Sequence, residues 1–283
     1  MIHAREGKNI PLNDMNRKVT TPSFLATHPV FSLAEAVAGL RAPGGKRGAL
    51  DRLKHYARTG RLKTVARGIY AVIPPGATAE TFAPDPLLAA LAARSDAIFC
   101  HHTALELLGV AQSAWRGCSI FTVRAGRPLR VGADAIRQLP LPRPMASPAA
   151  VRAGVRTVDH RGHLVKATGP EWTLVEGFRR PALVGGLPEL VASASAFTTI
   201  DLDVLRTILR RYHAAILWAA CGWFLERTQD TFHVPEADLR RFERHRPRSP
   251  QYLERGRRGG TFVARWNLIV PAALAGAGEP DER

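Results

Sequence analysis

The sequence predicts an α+β protein: an N-terminal winged helix-turn-helix, then a C-terminal domain with a small antiparallel sheet and a helical half. Three observations carry this. Signals for a helix, a turn, a basic helix and a basic hairpin follow one another over residues 31–72. Short extended runs bounded by turn residues occupy residues 119–167. From residue 168 to 244 the apolar residues recur at helical spacing instead.

Residues 1–19 show no strong period and read as a lead-in. Residues 22–27, PSFLAT, supply a short first helix that ends before His28-Pro29, because the residue before proline is pushed out of the helical region. Phe24, Leu25, Val30 and Phe31 are then placed to pack beneath the basic helix. Ser32 and Glu35 stand in S-x-x-E spacing, so hydroxyl and carboxylate can each satisfy a free N–H at the start of the next helix. Arg41-Ala42-Pro43-Gly44-Gly45 opposes helix continuation and favours a change of direction. The basic helix runs over residues 46–59. Leu50, Leu53 and Ala57 share its packing face, and its charged residues spread over the other side. Gly60 suits a left-handed helix end. Extended runs at 61–66 and 69–73, joined by Arg67-Gly68, complete the wing.

In such a unit the second helix enters the major groove and the wing touches phosphates. Arg47, Arg52 and His55 are the candidates for base contacts, since arginine can make two hydrogen bonds to guanine. Lys46, Lys54 and Arg58 flank them, and Arg61, Lys63 and Arg67 lie on the wing; these six read as phosphate contacts, which position without specifying. Asp51 shares the charged side. It would repel phosphate, or it could accept from cytosine or hold Arg47 or His55 one turn away. The plainer alternative is a solvated basic face on an ordinary helical subdomain.

The charge distribution agrees with an acidic partner. The 283 residues carry a formal charge of +16. Residues 1–73 hold 13 Lys or Arg against 4 Asp or Glu, and residues 240–258 hold 8 against 2. The stretch between them is nearly balanced, at 17 against 15. A generally arginine-rich composition does not explain that unevenness. The second basic stretch, RRFERHRPRSPQYLERGRR, reads as a solvated helix end and loop, or as an extension of the phosphate footprint or a site for an acidic protein surface.

Cys100, Cys118 and Cys221 are far apart and form no C-x-x-C, so neither a disulfide framework nor a zinc ribbon is expected. The N-terminus is polar and the most apolar run, residues 214–225, is too short to span a bilayer. A cytoplasmic protein without membrane contact is the expectation. There is no P-loop, G-x-S-x-G or H-E-x-x-H, and no cofactor, metal or catalytic residue is expected. Adjacent His101 and His102, and Trp172, Trp218, Trp223 and Trp266, read as structural and core residues.

Pro74-Pro75-Gly76 is a stiff, turn-prone connector, which divides the chain into a DNA-binding domain at 1–78 and an α+β domain at 79–283. After it come helices at 85–94 and 103–108, strands at 119–123, 129–131 and 135–139, and a hairpin of 155–158 with 164–167. Thr168 and Glu171 repeat the S/T-x-x-E start signal with Pro170 in the first turn. Helices follow at 187–194, 201–212, 214–228 and 235–244. Residues 261–270 read as one strand, and residues 275–283 as disordered.

With these elements in place, the chain resembles the AbiEi-type antitoxins of type IV toxin–antitoxin systems, regulators of phage-defence operons. The resemblance rests on FLATHPVFSLAEA, GRLKTVARGIYAV, HHTALELLGV, GPEWTLVEGFRRPALVGGLPELV and GGTFVARWNLIVP, and spans residues 23–271. The winged unit is common to many regulators, whereas TLVEGFRRPALVGGLPELV and RWNLIVP are more particular. The resemblance implies that the N-terminal domain binds inverted repeats in double-stranded DNA at its own promoter and represses transcription. It also implies that the C-terminal domain counteracts a nucleotidyltransferase toxin, without a stable complex between the two. The glycine-rich turn at 42–48 is longer than in such relatives. Two other classes remain: a regulator or interaction protein whose C-terminal domain binds a protein or RNA without an antitoxin role, and a catalytic C-terminal domain guided by the winged unit.

Overall fold

The computed structural model describes residues 20–275 apart from Ala125, Arg255, Arg257 and Arg258. The expected lead-in and the expected disorder after residue 275 lie outside the described residues. The chain is mixed α+β and forms two compact units, Met1–Ala93 and Arg94–Arg283. No described helix is long and apolar enough to cross a membrane.

In the first unit, α1 (Thr21–Thr27) starts at Thr20, whose side chain accepts from the Ser23 N–H, and it leads into β1 (Val30–Ser32). The capping signal of Ser32 and Glu35 is realised at the start of α2 (Leu33–Leu40). The Ser32 N–H donates to Glu35 Oε2 at 2.6 Å, and the Glu35 N–H donates to Ser32 Oγ at 3.2 Å. After a tight turn come α3 (Gly45–Arg58), β2 (Leu62–Ala66), β3 (Ile69–Val72) and α4 (Pro86–Ala93). The strands form an antiparallel sheet in the order β1-β3-β2, so the hairpin gains a third strand, for which residues 30–32 carry no local strand signal. Phe24, Leu25, Phe31, Ala36, Leu40, Leu53 and Leu62 make one buried cluster under α3. The compact unit continues past residue 78 and includes α4, which packs on β1 and β3.

The second unit holds β4 (Ile98–Phe99), α5 (His102–Leu107), β5 (Cys118–Thr122), β6 (Leu129–Val131), β7 (Asp134–Pro140), α6 (Pro148–Gly154), β8 (Val155–His160) and β9 (His163–Thr168). Its main sheet runs β6-β7-β5-β4-β9-β8. This corrects the expected small antiparallel sheet: β5 pairs with β7, and β4 with β9, in parallel. Turn residues specify only the local antiparallel hairpins β6–β7 and β8–β9; the parallel pairings join segments distant in sequence, and no turn chemistry encodes them.

The helical half comprises α7 (Pro170–Arg179), α8 (Leu187–Ser195), α9 (Leu202–Tyr212), α10 (Ala215–Arg227), α11 (Gln229–Phe232) and α12 (Glu236–Glu243). Every residue of α7 from Glu171 to Phe178 is buried, which makes this helix the centre of the unit. Its start differs from the expected capping box. Gly169 is the N-cap, Thr168 pairs with Thr173, and Glu171 instead accepts from the Asp201 N–H at 2.8 Å. Trp172, Trp218, Trp223 and Trp266 are all buried.

The last expected strand is two. β11 (Thr261–Val263) and β12 (Leu268–Val270) pair antiparallel around a 3-10 turn, with Asn267 at φ 50°; β10 (Gln251–Tyr252) adds to β12 in parallel, and α13 (Ala272–Ala275) follows. Asparagine tolerates the left-handed conformation that this reversal needs. The fold also turns Trp266 inward, where its indole N–H donates to Glu226 Oε2 at 2.6 Å.

Candidate nucleic-acid interface

The turn before α3 decides how that helix is presented. Arg41 closes α2 in the left-handed region, and Gly44 and Gly45 follow at φ 80° and 57°. The Gly45 N–H donates to the Ala42 carbonyl at 2.9 Å, and Ala42 is buried. Ala49 and Leu53 face the core, with Leu50, Tyr56 and Ala57 partly covered beside them. The opposite stripe of α3 is Arg47, Asp51, Lys54 and Arg58, residues three or four apart and all exposed. Lys46 and His55 are exposed on its flanks.

Arg52 is placed differently. It is half-buried, and its guanidinium reaches back towards the Thr21 hydroxyl at the start of α1, at 3.5 Å. The outward stripe therefore contains Lys54 and Arg58, assigned from sequence to phosphates, and not Arg52, assigned to bases.

The hairpin is anchored at its tip. The Leu33 N–H at the first residue of α2 donates to the Gly68 carbonyl at 2.7 Å, and Gly68 adopts φ 77°. A register shift between Thr64 and Ala66 bulges β2 just before that tip and leaves Arg67 exposed. Arg61 is exposed, with its guanidinium 5.7 Å from the centre of the Tyr56 ring. Lys63 is half-buried, and its ammonium donates to the Phe82 carbonyl at 2.7 Å. That contact was illegible from the sequence, because it joins the hairpin to a chain segment nineteen residues on.

Elsewhere, Arg240, Arg244 and Arg248 line a hollow of about 860 Å³ in the second unit, together with Arg241 and Arg246. Arg241 is paired with Asp238 at 2.8 Å and Arg246 with Glu243 at 2.9 Å. Arg255, Arg257 and Arg258 of the same basic stretch lie outside the described residues. Among the described residues no group of three or more His, Cys, Asp or Glu side chains is placed to hold a metal ion.

No protein-family model and no curated protein matches the chain. Among solved structures it is similar to the crystal structure of the RV2827C protein from Mycobacterium tuberculosis. The identity is 20% and the TM-score 0.60, and the match covers 89% of this chain and 90% of that one. The shared feature is the fold, which extends over both units.

Proposed function

We propose that the protein is a DNA-binding autorepressor and antitoxin, whose first unit acts as a winged helix-turn-helix with α3 as recognition helix and β2–β3 as wing. The observation that carries this reading is the exposed stripe Arg47, Asp51, Lys54 and Arg58, presented beside an anchored hairpin whose tip bears Arg67. A helix of ordinary scaffold use gains nothing from Lys46 and Arg47 in its first turn. There they oppose the positive end of the helix dipole, at a cost of about 0.3–1 kcal/mol each. A phosphate or a guanine edge supplies the compensating interaction.

In this reading α3 lies in the major groove, Arg47 and its neighbours one turn on meet base edges, and Arg58 and Arg67 hold the flanking phosphates. Arg52 braces α3 against α1. The antitoxin part rests on the particular segments of the second unit that resemble AbiEi-type antitoxins. Its functional partner is a nucleotidyltransferase toxin in the same cytoplasm, opposed without a stable complex and without catalysis by this chain.

A mobility-shift titration on the DNA upstream of the gene, against random duplex, tests the repressor part. Expected is preferential binding to inverted repeats, lost in an Arg47→Ala, Lys54→Ala double variant; equal affinity for both duplexes in wild type and variant rejects it. Co-expression with the neighbouring nucleotidyltransferase tests the antitoxin part, with restored growth expected. The hollow lined by Arg240, Arg244 and Arg248 favours a second reading, an interaction protein with an acidic partner. That reading gains if alanine at these three positions leaves promoter binding and its salt dependence intact but abolishes growth rescue.

A further inference from the structure

A cleft of about 1030 Å³ opens within the second unit, between the segment that follows β7, the end of α7 and the start of α10. Arg143, Arg179 and Arg180 stand in its wall with Tyr212, and apolar side chains, Leu217 and Leu253 among them, form much of the rest. We propose that this cleft binds a nucleoside phosphate, with the arginines on the phosphate and the apolar wall against base and sugar.

The polar side of the cleft is built from behind. Glu176 is fully buried on α7 and accepts from Arg179 Nε at 3.0 Å and Arg179 Nη2 at 2.8 Å. It also accepts from the Tyr212 hydroxyl, which in turn accepts from the Trp172 indole N–H at 2.9 Å. His101 Nε2 stands 3.5 Å from the same carboxylate, in a buried residue held at φ 56°. A carboxylate taken out of water is costly and is retained only with several donors around it. Here those donors fix one guanidinium and one phenol at the cleft wall. Arg179 uses Nε and Nη2 on Glu176 and lies 5.7 Å over the Tyr212 ring, so its Nη1 donors remain for a bound anion.

The three arginines of the wall favour an anion. Glu176 offsets Arg179, whereas Arg143 and Arg180 take part in no ion pair among the described residues. The planar forks of their guanidinium groups suit the oxygens of a phosphate monoester, which is close to a dianion at neutral pH. The volume and the apolar wall exceed what a bare phosphate can fill, and they correspond to a ligand with a planar organic body. Glu254 also stands in the wall. The same chemistry is offered by a free nucleotide and by the phosphorylated 5′ end of a strand.

Isothermal titration of the full chain with AMP, GMP, CMP and UMP, with the four nucleosides, and with inorganic phosphate tests the proposal. At least one monophosphate is expected to bind, with its nucleoside and inorganic phosphate weaker by about tenfold or more. Arg143→Ala and Arg180→Ala are each expected to weaken it about tenfold at unchanged melting temperature. A trinucleotide with a 5′ phosphate, compared with its 5′-hydroxyl form, assigns the source: tighter binding than the mononucleotide identifies a strand end, and equal or weaker binding a free nucleotide. No binding at millimolar concentration, inorganic phosphate as tight as the nucleotides, or binding untouched by both substitutions overturns the proposal. Arg47→Ala, in the other unit, is expected to leave the titration unchanged, which separates this result from that of promoter binding.

Discussion

Gly48 packs so closely on Pro43 that a Cβ at Gly48 would stand 1.9 Å from the Pro43 carbonyl oxygen. The expected long turn at 42–48 is in fact short, because α3 already starts at Gly45, and the contact locks the first turn of that helix against the chain that enters it. It gives the glycine-rich turn a physical purpose: backbone replaces side chain where the helix must start close to its predecessor.

Gly48→Ala is therefore expected to destabilise the protein even though alanine favours a helix by about 1 kcal/mol over glycine. The clash is with backbone and cannot be relieved by a rotamer change, so a net loss of about 2–3 kcal/mol is expected. Thermal or urea melts read it directly, and a raised midpoint would show that the turn relaxes freely.

Arg67 and Lys63 both lie on the hairpin, but only Arg67 is free to meet a phosphate. Arg67→Ala should lower the slope of log affinity against log salt by about 0.9, the share of one phosphate contact. Lys63→Ala should leave that slope unchanged, because its ammonium is already held by the Phe82 carbonyl. Promoter titrations at several salt concentrations separate the two, and equal slope changes would contradict the placement of Lys63.

Arg47 and Arg52 are expected to part in the same way on base identity. Arg47→Ala should cost about 1–3 kcal/mol on the cognate site and relax preference at one base position. Arg52→Ala should weaken all duplexes alike, by less, since its guanidinium leans towards Thr21. Binding to a set of single-base operator variants measures this; a base-specific loss in Arg52→Ala would return it to the reading face.

Asp96 carries a pH signature. Its hydrogen bond with Arg94, at 2.8 Å, is the main cause that holds its carboxyl at about 2 instead of the ordinary 3.8, aided by the Val123 N–H at 2.8 Å. The folded value lies below the unfolded one, so the stabilisation is present above the unfolded value and is lost as pH falls through the folded one. The side chain is 32% exposed, so solvent screening reduces the contribution to about 1 kcal/mol. Asp96→Asn should lose that amount at neutral pH and flatten the stability curve between about pH 4 and about pH 2. Urea melts across the acid range check it.

The local elements were legible wherever neighbouring residues encode them. Ser32 and Glu35 announced α2, Gly68 announced the hairpin, and Asp201 caps α9 through its own side chain. Thr168 and Glu171 carried the same signal and did something else, because Glu171 is buried and a non-local donor, the Asp201 N–H, claims its carboxylate. Along α3 and the hairpin, periodicity placed Arg47, Lys54, His55 and Arg58 on the exposed side, but it could not show that Arg52 turns to Thr21 or Lys63 to Phe82.

By itself the sequence determined the long helices and the local hairpins, the two concentrations of positive charge and the buried face of the basic helix. All of these depend on spacing within a few residues. The tertiary structure alone decided the parallel strand pairs, the extension of the first unit through α4, and the hairpin that folds Trp266 inward. It alone brought Arg143, Arg179, Arg180 and Tyr212 to one cleft. Those four come from three separate segments, and their meeting depends on packing around α7, where burial of Glu176 selects its partners by reach and geometry and not by distance along the chain.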